Sequence, residues 1–205
     1  MLHAHYGPQH WWPGNSPFEM MVGAILTQNT AWTNVEYAIK NLKTNHCLTP
    51  QKILNVDIAD LAMWLKPSGY FNVKAKRLRN FCQWLVNAGG FDAVSQVETN
   101  TLRKQLLSIN GVGPETADDI LLYAFDRPVF VIDAYTRRLF SRLQLLDANE
   151  GYEHLRHQFE KNLGANAPLF NEYHALIVIH SKQSCTKKPC CSNCCLTSVC
   201  PSRSL

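Results

Sequence analysis

Three stretches of this sequence carry residue types at spacings that can do chemistry. The first is the turn Ile109-Asn110-Gly111-Val112-Gly113-Pro114, inside LLSINGVGPETADDILLYAF. Its glycines permit positive φ and bare one surface, so successive backbone N–H groups can point outward together. Pro114 suits the first turn of the helix that follows. A turn that feeds a helix N-terminus in this way suits a phosphate oxygen. The same spacing also describes a helix–helix corner that binds nothing, with Val112 plugged into the core. No Gly-Lys-Ser/Thr follows, so the turn is not a nucleotide P-loop.

The second is Asp133, directly after Val129-Phe130-Val131-Ile132 and before a helical pattern. Aspartate there reads as an N-cap, accepting from a backbone N–H two or three residues on. Capping does not exclude chemistry. A carboxylate fixed at a helix start stays ionised and can activate a water or stabilise developing positive charge.

The third is the tail HSKQSCTKKPCCSNCCLTSVCPSRSL. Of eight cysteines, Cys47 and Cys82 stand alone, and the other six fall between Cys185 and Cys200. Crowding of this kind in a chain expected to be cytosolic points to metal rather than disulfides. The ligand set read from the spacing is Cys185, Cys191, Cys194 and Cys200, with Cys190 and Cys195 as possible substitutes. Four thiolates in a compact loop suit a 4Fe-4S cluster, with zinc as the alternative. Lys187, Lys188 and Arg203 make the loop positive.

Helices must position these groups. The chain has 205 residues, 46% of them hydrophobic, and a net charge of +4, enough for one large domain or two small ones. A mild basic excess permits a polyanion partner without requiring one. No apolar run is long enough to span a bilayer. The start, MLHAHYGPQHWWPG, does not read as a signal peptide, so a cytosolic location is expected. Apolar residues repeat with helical spacing at Phe18, Met21, Val22 and Ile25, at Val35, Ile39 and Leu42, and at Leu78, Phe81 and Leu85. Later helices are expected over about 134–143, 152–163 and 168–180. Val129 to Ile132 alone looks like a strand. Having no partner run, it reads as a buried extended connector. The class is all-α, with helices joined by short loops.

Gly111-Val112-Gly113, Asp133 and Cys185 to Cys200, in that order, resemble the endonuclease III family of helix-hairpin-helix DNA glycosylases. The resemblance covers nearly the whole chain. It implies two helical lobes with DNA bound in the cleft between them. One lobe is a six-helix barrel over 17–127, with the helix-hairpin-helix at about 106–125. The other joins 1–16 to 128–205 and ends in the iron–sulfur loop. By resemblance, Gly111, Val112 and Gly113 grip a phosphate and Asp133 is catalytic. The resemblance also implies that Gln28 and Asn29 fill the gap left by a flipped base and that Lys74 lies near the DNA backbone, which the positive charge of Lys187 and Lys188 would also suit. The implied partner is double-stranded DNA carrying a damaged base, met by a monomer in the nucleoid.

Two departures refine this. Bifunctional members carry lysine where this chain has Glu115, and a carboxylate cannot form a Schiff base. The resemblance therefore implies a monofunctional enzyme whose water attacks the sugar C1′. HWWP at 10–13, with Trp32 after LTQNT, resembles the 3-methyladenine DNA glycosylase III subgroup. There Trp11, Trp12 and Trp32 would stack on a cationic alkylated purine. That subgroup's type member lacks the cysteine loop. The adenine-excising branch is disfavoured, because its catalytic glutamate has no counterpart at Ala24. The alternatives are an oxidised-pyrimidine glycosylase with lyase activity through another amine such as Lys182, and a non-catalytic DNA-binding or redox-sensing iron–sulfur protein.

Overall fold

Caps and apolar stripes place the helices. A computed structural model describes residues 1–11 and 14–203. In chain order its helices are α1 (Leu2–Tyr6), α2 (Pro17–Leu26), α3 (Trp32–Thr44), α4 (Pro50–Asn55), α5 (Ile58–Trp64), α6 (Phe71–Asn87), α7 (Gly90–Ser95), α8 (Thr99–Leu107), α9 (Pro114–Asp119), α10 (Ala134–Arg142), α11 (Tyr152–Leu163) and α12 (Ala167–Gln183). A π-helical turn, Ile120–Ala124, prolongs α9. Among the described residues there is no strand, so the fold is all-α. Among the described residues no helix is long and apolar enough to cross a membrane.

The chain divides into two compact units, one formed by Met1–Trp11 with Pro128–Leu205, the other by Trp12–Arg127. In the second unit α2 is the central helix. Ser16 caps it by accepting from the Glu19 N–H at 3.2 Å, Pro17 opens it, and every residue from Glu19 to Leu26 is buried. Burial all round is what a helix without a polar face requires. The amphipathic helix α3 buries Val35, Ala38, Ile39 and Leu42, the i, i+3, i+4, i+7 stripe. Helix α6 buries Ala75, Leu78, Phe81, Cys82 and Leu85 in the same way.

The first unit is built on an aromatic cluster. Phe130 stacks on Phe159 with centroids 4.3 Å apart and meets Phe170 edge-on at 5.3 Å. Val129 to Ile132 are all buried and extended. With no neighbouring strand, their N–H groups turn to side chains. Phe130 N–H donates to Glu160 Oε1 at 3.0 Å and Ile132 N–H to the Tyr152 hydroxyl at 3.4 Å. A buried backbone donor left unmet would be costly, and these side chains take the place of a ladder. The connector thereby delivers Asp133 to the start of α10 on a fixed backbone.

Candidate active site and nucleic-acid interface

Within the unit that holds the hairpin, α8 and α9 frame the glycine turn. Gly111 has φ of 100°, which only glycine adopts without strain, and Gly113 is extended as the cap of α9. Ile109 and Val112 are buried, and the Val112 N–H donates to Ile109 O at 3.0 Å. Val112 is therefore the plug that the sequence suggests. The carbonyls of the turn are occupied: Asn80 Nδ2 donates to Asn110 O at 3.1 Å and Gln28 Nε2 to Gly111 O at 3.0 Å. Gly113, Pro114 and Glu115 are exposed. Glu115 lies in the first turn of α9, where an acid favours the helix dipole.

Behind the turn is a buried ion pair that the sequence reading missed. Arg103 of α8 donates from Nε to Asp118 Oδ1 at 2.6 Å and from a terminal nitrogen to Oδ2 at 3.0 Å. The Asp118 side chain is fully buried and that of Arg103 is 10% exposed. Two parallel bonds in a fork suit a guanidinium on a carboxylate. They fix α8 against α9 and so set the opening of the turn.

Gln28 is held rather than free. Its Nε2 also donates to Thr116 Oγ1 at 2.9 Å, and its Oε1 accepts from Arg77. Asn29, next in the loop, is exposed with φ of 54°, a left-handed conformation that asparagine tolerates. Lys74 corrects the sequence reading, which set it beside the DNA backbone. It is 1% exposed, and Nζ donates to Leu26 O at 2.8 Å and Ser68 O at 2.6 Å. Burial and the nearby Arg77 cation push its pKa down to about 8. Its work is to satisfy carbonyls at two helix ends, including the last of α2, just before the Gln28 loop. Trp32 lies in this unit too. Its Nε1 donates to Glu36 Oε1 at 3.0 Å. Its ring packs against Gly23, where an added Cβ would come within 3.0 Å of the indole.

In the other unit, Asp133 caps α10, and Oδ1 accepts from the Thr136 N–H at 2.7 Å. His174 of α12 brings Nε2 to 3.4 Å from Oδ2. Burial raises the carboxyl pKa, but the His174 charge and the contacts with His174 and Thr136 outweigh it, and the net direction is down. The group is thus held ionised. Trp11 lies parallel to the His174 ring, 3° from coplanar, with centroids 6.2 Å apart. Trp12 falls outside the described residues.

The cysteine loop follows α12. Cys185, Cys190, Cys191, Cys194 and Cys200 line one small pocket together with His180 and Arg142, whereas Cys195 is not in its wall. Among the described residues no three His, Cys, Asp or Glu side chains are gathered as a metal-holding group. Hydrogen-bond donors nevertheless reach two of the sulfurs. Arg142 donates to Cys185 Sγ at 3.2 Å, and the Leu196 N–H donates to Cys194 Sγ at 3.4 Å. Arg138, one turn back from Arg142, holds Cys185 O at 2.8 Å and Ser181 O at 3.1 Å. Lys187 and Lys188 are exposed, as is Lys182.

A glycine hairpin fixed by a buried ion pair, a capped and ionised aspartate and a cysteine loop now stand in the structure. The sequence model of the HhH-GPD superfamily of base excision DNA repair proteins matches residues 22–165, a span that takes in the hairpin and Asp133. The chain belongs to this superfamily. It is 50% identical to a Methanocaldococcus jannaschii protein designated a DNA repair glycosylase, over 97% of this chain and 92% of that protein. It is 29% identical to endonuclease III of Sulfolobus acidocaldarius, over 89% of this chain and 81% of the relative. Among solved structures it is similar to H. pylori 3-methyladenine DNA glycosylase bound to 1,N6-ethenoadenine. That match has a TM-score of 0.76 and 33% identity, covering 89% of this chain and 92% of the other. Endonuclease III in a non-covalent DNA complex shares the fold, with a TM-score of 0.83 at 20% identity, covering 98% of this chain and 91% of the other. This HhH-GPD chain thus covers most of the length of each of these proteins.

Proposed function

We propose that the chain is a monofunctional DNA glycosylase that hydrolyses the N-glycosidic bond of alkylated, 3-methyladenine-like purines in duplex DNA. The observation that carries this reading is the capped Asp133, whose carboxyl is held below its ordinary pKa; that the chain has an acid, Glu115, at the sequence position where a lyase needs an amine supports it. In the proposed reaction the C1′–N bond breaks and its electron pair leaves with the base. The carboxylate of Asp133 faces the cationic sugar and lowers the energy of that charge. A water oxygen then bonds to C1′ and its proton passes to Asp133, and from there to solvent. Without amine catalysis the leaving group must be good. A purine that already carries a positive ring charge is one, and Trp11, Trp12 and Trp32 are the proposed indole faces for it. The damaged base must leave the stack to be reached, which favours weakly paired bases. Gly111 to Gly113, with Asn29 in the neighbouring loop, are the proposed contacts to the duplex.

What supports a cluster is that all four proposed ligands, with Cys190, line one pocket that also receives an arginine and a backbone N–H. Cys185, Cys191, Cys194 and Cys200 would hold a 4Fe-4S cluster that shapes the positive loop with Lys187 and Lys188. Visible thiolate–iron absorbance on the purified protein separates iron from zinc. Function is tested by incubating methylated duplex DNA with the purified chain and identifying the freed bases. Release of alkylated purines without strand scission is expected. Release of oxidised pyrimidines with scission would instead favour the lyase reading.

A further inference from the structure

An N-cap uses one carboxylate oxygen, and Asp133 already gives Oδ1 to the Thr136 N–H. The second oxygen is not needed for the helix, yet it too has a partner. His174 Nε2 stands 3.4 Å from Oδ2, an ion-pair distance that is long for a hydrogen bond. Catalytic hydrogen bonds are often loose without substrate. His174 is 5% exposed and lies on the buried stripe of α12 with Phe170, Ile177 and Val178. An imidazole on an apolar face is costly unless a polar group meets it. Here the carboxylate that the proposed chemistry uses stands against its Nε2. Trp11 lies parallel to the ring and limits its rotation.

We propose that His174 is a positioning residue for Asp133, with its Nε2–H directed at Oδ2 so that the carboxylate plane is fixed and its free lone pairs face the water. This rests on the glycosylase reading. His174 keeps its proton throughout, and the water's proton goes to Asp133 as before. Neighbouring polar groups are engaged elsewhere. On α1, which packs on α12, the Tyr6 hydroxyl meets His180 Nδ1 at 3.0 Å. Glu172 accepts the Gln9 and His10 backbone N–H groups at 2.6 and 3.2 Å. Tyr173 packs on Phe130 and Phe140. Arg137 donates to Ala148 O and Glu150 O, and Arg138 lies over the Tyr135 ring.

The test measures single-turnover base release against pH for the wild type, His174→Leu and His174→Gln, with abasic-duplex affinity and thermal midpoint alongside. His174→Leu should slow release about 100-fold. Its acid limb should move to higher pH, because Asp133 loses the partner that favours its charge. Abasic-duplex affinity should hold. Glutamine can still donate to Oδ2, so it should recover the rate to within about tenfold of wild type. A leucine variant at the wild-type rate with an unmoved acid limb would overturn the proposal. So would a loss that glutamine fails to rescue at an unchanged midpoint. Should the leucine variant not fold, nitrogen-15 NMR of the wild-type imidazole decides. A proton on Nε2 supports the proposal, and a bare Nε2 refutes it. If the wild type releases no base, the glycosylase reading alone fails, and the tautomer still tests the His174 contact.

Discussion

Replacing Asp118 with asparagine leaves the Arg103 guanidinium buried against a neutral amide. One of the two fork bonds turns into an N–H facing an N–H. Both bonds are short in the native protein, 2.6 and 3.0 Å, and water reaches neither carboxylate oxygen from the Asp118 side. Breaking a buried pair at one partner costs about 3–5 kcal/mol, because the buried charge loses the carboxylate that offsets it. Against a total stability of about 5–15 kcal/mol this is a large share. For a chain of this length it corresponds to a fall in Tm of about 6–20 °C. The assay is urea and thermal unfolding of wild type, D118N and the double variant R103M/D118L. The double variant removes both charges and keeps apolar volume, so it should recover most of the loss. Since the pair joins α8 to α9, D118N should also weaken duplex binding at temperatures where it is still folded. A loss below about 1 kcal/mol, the range of an exposed pair, would mean that this pair does not set the hairpin.

Gly111→Ala forces a side chain onto φ of 100° and brings its Cβ into the Arg77 methylenes, with Cδ at 2.8 Å. The expected cost is about 2–4 kcal/mol in denaturant titration, with weaker duplex binding. Lys74 should give the wild type a pH signature. The unfolded lysine keeps its proton to about 10.5 and the folded one only to about 8, so unfolding free energy should rise with pH between those values. Lys74→Met should lack that rise in urea midpoints compared across the window. Glu115→Lys places an amine in the first turn of α9. Borohydride with an abasic duplex should trap a covalent adduct of the variant and none of the wild type.

What could be read from the sequence follows physical lines. The Val129 to Ile132 run was legible as a connector because a lone apolar stretch with no partner run has no ladder to join, and Glu160 and Tyr152 supply its missing acceptors. Asp133 was legible as a cap because its side chain acts within three residues. Lys74 was misread because a lysine at a helix start is usually solvated. The contrary signal was its spacing of four from Leu78 and seven from Phe81, which sets it on the buried stripe of α6. His174 carries a similar signal, four residues from Phe170 and from Val178. That its ring meets Asp133 depends on how α12 packs on α10, which no local pattern encodes. Arg103 and Asp118 were invisible for the same reason: their pairing spans the turn and uses burial rather than spacing. Arg138 and Arg142, four apart on α10, show the i, i+4 pattern of one face, but the cysteine loop they serve lies more than forty residues on.

A single carboxylate, Asp133, is proposed to drive hydrolysis without amine chemistry. Single-turnover release of methylated purine from duplex DNA by wild type and Asp133→Asn, with duplex affinity measured on the same preparations, decides this. The variant should bind as the wild type does and release base at least about 100-fold more slowly, while the wild type leaves the abasic strand uncut. Release by Asp133→Asn at the wild-type rate, or strand scission by the wild type through a borohydride-trapped adduct, would contradict it.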